Sequence, residues 1–481
     1  MNDRPRATTL AADAYSPHLR TALVLAGTGT AGAYHAGVLR ALDEAGVKID
    51  IVAGRGMGTI GALCSAIGGA EHLWGEAGFW RSPAVRGFYG WRFAVRMACW
   101  ALGLSAAIVA VPIATMAAGL VVFPIDFVLK MVGGGAGGLV GWYLGGAEAA
   151  FAPGALPTWL PRLVFLVLLS ATLVAAAGAA HQMRGRGRGR WWWRVVPSPL
   201  SADGVARDCS RVVWDLVRGA TASSGPQPGE LGRRYITLLA ENLGQPGFRE
   251  LLIVVHDVDA HRDLVFALVG ESRRRDLIRR STIEAAEMRR GEVFDLSGPA
   301  RDHLADAMAA ALAVPVATDL HPIRFDNDSY WRGEAHRLCD RPAALGRVID
   351  ELVDLGVEQV VIVSAAPESE GPHALAAPRL DGRARLGEYV HSAEAAAVRD
   401  AIAIAARSVP RAFTIRPAHN PIGPFDFDGG YDDRSDRPQG LTELLDLGYQ
   451  DAYRQFIEPV VGASGDELGN TREGQERWRH R

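Results

Sequence analysis

The sequence predicts an α/β fold with a mostly parallel central sheet, interrupted by a membrane insertion. Three observations lead there. Two strand–turn–helix units stand side by side near the start, a charge-free stretch too long for an ordinary soluble helix follows, and buried-type strands resume beyond it.

Thr21 to Ala26 is an apolar run of strand length that stops at Gly27, Thr28, Gly29, Thr30, Ala31 and Gly32. Apolar residues then recur at helical spacing from Tyr34 to Leu42, so the first turn joins a strand to a helix N-terminus. Ile49 to Ala53 repeats the pattern and ends at Gly54, Arg55, Gly56, Met57 and Gly58, with Thr59 to Ile67 opening a second helix. Gly27, Gly29 and Gly32 satisfy the G-x-G-x-x-G spacing of a dinucleotide site. Such a site also needs an acidic residue at the end of the second strand to bond a ribose hydroxyl, whereas Asp50 begins that strand. A dinucleotide-binding enzyme is therefore the lesser reading, and no cofactor is expected.

The two turns together resemble the patatin-like lipid acyl hydrolases, which pair a glycine-rich oxyanion loop with a G-x-S-x-G nucleophile elbow. The resemblance covers about Thr21 to Ile67 and Leu251 to Ser364 and implies a three-layer α/β/α sandwich. In an elbow the flanking glycines are needed because side chains there collide with neighbouring backbone, and Gly54 and Gly58 fill those places. The nucleophile position is Gly56, which has no atom able to attack a carbonyl. The family's general base lies in an Asp-Gly-Gly turn after a small-residue helix. Here Ala307 to Pro315 matches that helix, and the turn falls on Arg332, Gly333 and Glu334, putting Arg332 at the base position. Asp428, Gly429 and Gly430 spell the triplet near the C-terminus, but without the strand context. Ala31 likewise stands where the oxyanion loop carries an arginine.

Three departures together imply a pseudoenzyme that binds, senses or scaffolds lipid. The alternative is an active lipase or phospholipase with a displaced nucleophile, Ser65 or Cys64. Ser65 lies about two and a half helical turns beyond Gly56 and cannot occupy the elbow. With a cation replacing a carboxylate, Arg332 and Arg55 are the expected anion-binding pair, for a lipid phosphate or a fatty carboxylate.

Composition narrows the setting. A net charge of −3 over 481 residues argues against a nucleic-acid partner. The four cysteines, Cys64, Cys99, Cys209 and Cys339, have no metal-ligand spacing, so no metal is expected. Residues 1–20 read as a flexible polar lead-in, without the apolar core of a signal or anchor. Residues 21–92 form the first part of the α/β domain and end in an aromatic, basic approach through Trp80, Arg81, Arg86, Tyr89, Trp91 and Arg92, which Arg96 continues into the insertion.

The insertion is expected over 93–181. Met97 to Ile125 gives about 29 residues without a charge, more than the roughly 20 that cross a bilayer. Leu163 to Ala180 is a second span candidate, and the glycine-dense Met131 to Ala147 reads as close packing or a re-entrant piece. Residues 182–201 form a basic, aromatic linker, Arg184 to Arg194 included. Basic flanks on both sides predict an integral membrane protein with its α/β domain in the cytoplasm, in contact with membrane lipids. A shared sheet requires an even number of crossings, which a helical hairpin satisfies.

The second part of the domain runs over 202–463. It is expected to hold an amphipathic helix at Val205 to Arg218, paired strands at Leu251 to Val255 and Leu264 to Val269, a strand at Gln359 to Ser364, and helices at Ser392 to Arg407 and Thr442 to Ile457. His256 and Asp257 point to opposite faces of their strand and so read as separate polar groups. The arginines of 273–290 read as a solvated helix face. Residues 464–481 are charged and expected to be disordered.

Overall fold

The computed structural model describes residues 15–133, 138–152, 156–183, 198–218, 228–278, 289–368 and 381–462. The chain divides into two units, one of Met1–Gly90 with Ser201–Arg481 and one of Trp91–Leu200. Residues 1–14 of the expected lead-in 1–20, residues 184–197 of the linker 182–201 and the whole tail 464–481 lie outside the described residues.

In the first unit the strands are β1 (Thr21–Gly27), β2 (Ile51–Gly56), β3 (Glu250–Asp257), β4 (Arg262–Leu268), β5 (Val293–Asp295), β6 (His321–Arg324), β7 (Ala335–Cys339), β8 (Gln359–Ser364) and β9 (Arg411–Ile415). They form one sheet ordered β5-β4-β3-β2-β1-β8-β9. The pairs β1–β2, β1–β8, β2–β3, β8–β9 and β4–β5 are parallel, while β3–β4 is antiparallel. The hairpin β6–β7 joins through β7, which pairs antiparallel with the end of β3. β1 and β2 are buried along their whole length, as expected of parallel strands covered on both faces. The second strand begins at Ile51, two residues later than its apolar run, and continues through the glycine-rich turn to Gly56.

The helices are α1 (Ala31–Glu44), α2 (Gly58–Ala66), α3 (Glu71–Trp74), α4 (Phe93–Met131), α5 (Gly138–Ala150), α6 (Leu156–Met183), α7 (Asp203–Val217), α8 (Pro228–Asn242), α9 (Glu271–Ile278), α10 (Leu304–Leu312), α11 (Ala344–Asp354), α12 (Gly382–Ser408) and α13 (Leu441–Ala452). On one face of the sheet, Ala22, Val24, Ile51, Ala53, Leu252 and Val360 pack on Leu345, Val348 and Leu352 of α11 and on Val398 and Ala401 of α12. α1 and α2 cover the other face, and α13 lies against α1. α13 continues as a π-helical run, Tyr453–Val461. A two-stranded hairpin, β10 (Gly430–Asp432) with β11 (Arg437–Gln439), follows the Asp428-Gly429-Gly430 triplet, where the sequence suggested only loop.

One charged run departs from expectation. Arg289 is buried, pairs with the equally buried Glu351 of α11 and donates from Nε to the Leu277 carbonyl at 2.9 Å. It is therefore a core ion pair and not part of a solvated face.

In the second unit α4 packs against α5 and α6. α4 is the one helix among the described residues that is long and apolar enough to cross a membrane, with a mean hydropathy of 2.4 in its best window and only 6% of that window buried. At 39 residues it is about 58 Å long. In α6 the described side chains include an apolar stretch at Pro161–Val174. Residues 138–147 of the glycine-dense segment lie in α5, too short at 13 residues to span. A Cβ added at Gly141, Gly145 or Gly146 would meet nothing within 4 Å, so the close packing expected of them is not seen among the described residues. Contact comes instead through Tyr143, whose hydroxyl donates to the Thr115 carbonyl at 2.8 Å beside Gly119.

Candidate functional site

The two glycine-rich turns lie next to one another because β1 and β2 are parallel neighbours in register, Gly27 opposite Gly56. Gly56 takes φ +58°, the left-handed conformation of an elbow apex. A Cβ added there would lie 2.5 Å from the Gly27 carbonyl oxygen and 3.0 Å from Asp340 Oδ2. Asp340 follows the last residue of β7, which β3 holds beside it.

Gly56 therefore faces Asp340 and not Arg332. Arg332 is exposed at φ +46° in the turn of the β6–β7 hairpin, closed by the Phe325 N–H to Glu334 carbonyl bond of 3.0 Å. The hairpin strand carries the chain from that turn to the sheet before Asp340, so the triplet Arg332-Gly333-Glu334 does not reach the elbow.

Asp340 is held from two sides. Thr28 Oγ1 donates to its Oδ2 at 3.2 Å, and Arg55 Nη1 donates to Oδ1 and Oδ2 at 2.9 Å each. Arg55 Nη2 donates to Glu394 Oε1 of α12 at 2.7 Å. All three charged side chains are at most 5% exposed. Burial lowers the Arg55 pKa, but Asp340 and Glu394 outweigh it and leave the guanidinium more firmly protonated than usual. Burial pushes the Asp340 carboxyl up to about 6, opposed by Arg55 and reinforced by Glu394. With two carboxylates on one guanidinium, Arg55 has no charge to spare for an external anion. The expected Arg332–Arg55 pair is not brought together.

Two backbone donors of the glycine-rich turns are also engaged within the chain. The Met57 N–H bonds the Gly27 carbonyl at 2.7 Å, and the Thr30 N–H bonds the Pro424 carbonyl at 3.0 Å. Thr30 Oγ1 donates to the Gly423 carbonyl at 2.9 Å. Gly29, at φ +60°, lies so close under the Pro424 carbonyl that no side chain fits. Gly27 to Gly32 and Gly54 to Gly58 are all buried. Phe425 and Phe427 fasten the covering segment by packing on Tyr89, at ring distances of 5.3 and 5.9 Å.

The displaced nucleophiles lie elsewhere. Ser65 is 1% exposed, and its Oγ accepts from Arg249 Nη1 at 2.7 Å. Burial pushes the Cys64 thiol up to about 12, which keeps it protonated and unreactive at neutral pH. The hydroxyl that does bond the elbow carboxylate belongs to Thr28, a role sequence reading missed. His256 bonds Asp263 at 2.8 Å and Asp257 bonds His336 at 2.5 Å, so these neighbours serve opposite partners, as strand geometry predicted. Among the described residues no group of histidine, cysteine and carboxylate side chains could hold a metal ion.

Comparison with known proteins adds little to this geometry. No protein-family model matches the chain, and no curated protein matches it. Among solved structures the chain is similar to VipD from Legionella pneumophila, at 11% identity and a TM-score of 0.29, over 92% of this chain and 67% of that one.

Proposed function

We propose that this chain is a membrane-anchored pseudoenzyme on a patatin-like lipid acyl hydrolase fold, with a role in binding or scaffolding at a lipid surface. The observation that carries the reading is the elbow itself. It keeps the left-handed apex and a facing carboxylate, yet the apex is Gly56 and the carboxylate is clamped by Arg55. A carboxylate so held cannot accept a proton from an incoming nucleophile without breaking a buried ion pair. α4, with its exposed apolar surface, supplies the anchor, and a hairpin with α6 would return the chain to the side it left. The basic residues on both sides of the insertion in the sequence support a cytoplasmic side for the α/β unit.

The test is Gly56→Ser. A serine there lacks a free base and meets the Gly27 carbonyl, so the variant is expected to stay inert to a fluorophosphonate probe and to phospholipid and acylglycerol substrates. Crowding and the left-handed backbone should together destabilise it by about 1–3 kcal/mol. Probe labelling of the unmutated chain, lost in Thr28→Val or Ser65→Ala, would sink the pseudoenzyme reading and locate the nucleophile.

A further inference from the structure

The edge of the α/β unit from which the insertion departs carries its own features. Among the described residues, Val316 and Tyr389 are the most exposed large apolar side chains of this unit, at 77% and 76%. Both follow, within a few residues, groups that bond the segment leading to the departure point. Tyr89 donates from its hydroxyl to the Leu312 carbonyl at 2.8 Å, and Val316 stands in the turn just after that helix end. The turn is fixed by the Thr318 N–H on the Val314 carbonyl and the Val314 N–H on Thr318 Oγ1, each 2.9 Å. On the other side, Arg383 donates to the Phe88 carbonyl at 3.2 Å, and Tyr389 lies less than two turns further along α12. Phe88 and Tyr89 lead to Gly90, whose carbonyl accepts the N–H of Ser201 at 3.1 Å, so chain exit and re-entry coincide there.

Val316 also holds φ +68°, a conformation unfavourable for a β-branched residue. An exposed valine kept in a strained turn gains nothing from water. Arg81 and Arg86 line a cleft of about 510 Å³ together with Asp428, Glu443 and Phe427, the last packed on Phe88 and Tyr89. Both arginines are exposed, and neither enters an ion pair among the described residues.

We propose that this edge docks on an anionic bilayer. Val316 and Tyr389 enter the headgroup zone, and Arg81 and Arg86 meet the anionic lipid. Two things select a lipid surface over a protein partner: the continuity of this edge with both ends of the insertion, and the pairing of apolar tips with unpaired arginines. The proposal rests on reading α4 as a bilayer span.

The experiment uses the whole chain with Cys99→Ser and one added cysteine, from Val316→Cys, Tyr389→Cys or Lys48→Cys, the buried Cys64, Cys209 and Cys339 being kept. Each protein is placed in nanodiscs of phosphatidylcholine with or without phosphatidylglycerol, and the rate of labelling by a polar maleimide is measured. Lys48 precedes β2, at the opposite end of the sheet from the departure point. With phosphatidylglycerol present, positions 316 and 389 should label slowly and position 48 at its rate in detergent. Adding Arg81→Ala with Arg86→Ala should raise the rates at 316 and 389 by up to about thirtyfold, from about 1 kcal/mol per arginine. Protein that co-elutes with nanodiscs but labels equally fast at all three positions overturns docking and leaves the anchor standing. Slow labelling that ignores lipid charge overturns the role of the arginines. Protein that fails to enter nanodiscs overturns both anchor and docking.

Discussion

The two ends of the central sheet handle charge in opposite ways. At the carboxyl ends of β1, β2 and β7, Arg55, Asp340 and Glu394 are dry, mutually bonded and covered by the segment around Pro424. At the amino ends, a cleft of about 1,090 Å³ is lined by Arg20, Lys48, Asp50, Arg249, Glu250 and Arg273, and several of these groups reach solvent. Parallel α/β sheets commonly place their chemistry at the carboxyl ends. Here that end has become core, and the open polar surface lies at the other.

The largest expected effect lies at the closed end. Arg55→Ala leaves Asp340 and Glu394 buried without their cation, which should cost about 3–5 kcal/mol in denaturant unfolding of the detergent-solubilised protein. A loss below about 1 kcal/mol would show that water already reaches the site.

A smaller effect comes from pH. The folded Asp340 carboxyl titrates near 6, above its ordinary value, so between those two values the folded chain binds the extra proton. Stability should therefore rise as pH falls through about 6, by up to about 1.4 kcal/mol per pH unit from this group. Asp340→Asn should remove that slope, and an unchanged slope would assign the titration to another residue.

The smallest effect is expected at the open end. Lys48 pairs with Asp50 at 3.1 Å while half exposed, so Lys48→Ala should change stability by less than about 1 kcal/mol. A loss as large as that of Arg55→Ala would erase the contrast between the two ends.

Much of this was readable from local pattern. β1, the first turn and α1 follow from an apolar run, glycines and helical periodicity, all within about 25 residues, and α4 follows from charge-free length. What failed was long-range pairing. Arg55 reads as a loop cation until Asp340 and Glu394, 285 and 339 residues away, close on it. Asp340 reaches Gly56 only because the β6–β7 hairpin docks antiparallel on β3, a register that no short window encodes. A signal did exist: Cys339-Asp340-Arg341-Pro342 is a strand end, a polar residue and a helix start, the same grammar as the two glycine-rich turns. Arg289 was misread for the related reason that charge alternation along a chain does not reveal a buried partner such as Glu351.

The bond between the Ser201 N–H and the Gly90 carbonyl makes the insertion, in polymer terms, a closed loop. The α/β unit must confine roughly 110 residues, Trp91 to Leu200, between two points in hydrogen-bonding contact. Replacing them with a turn of about five residues would lower that closure entropy by about 3 kcal/mol. Within the α/β unit the two chain ends already meet in the geometry a short turn requires, so the α/β unit can be separated from the insertion by a single excision.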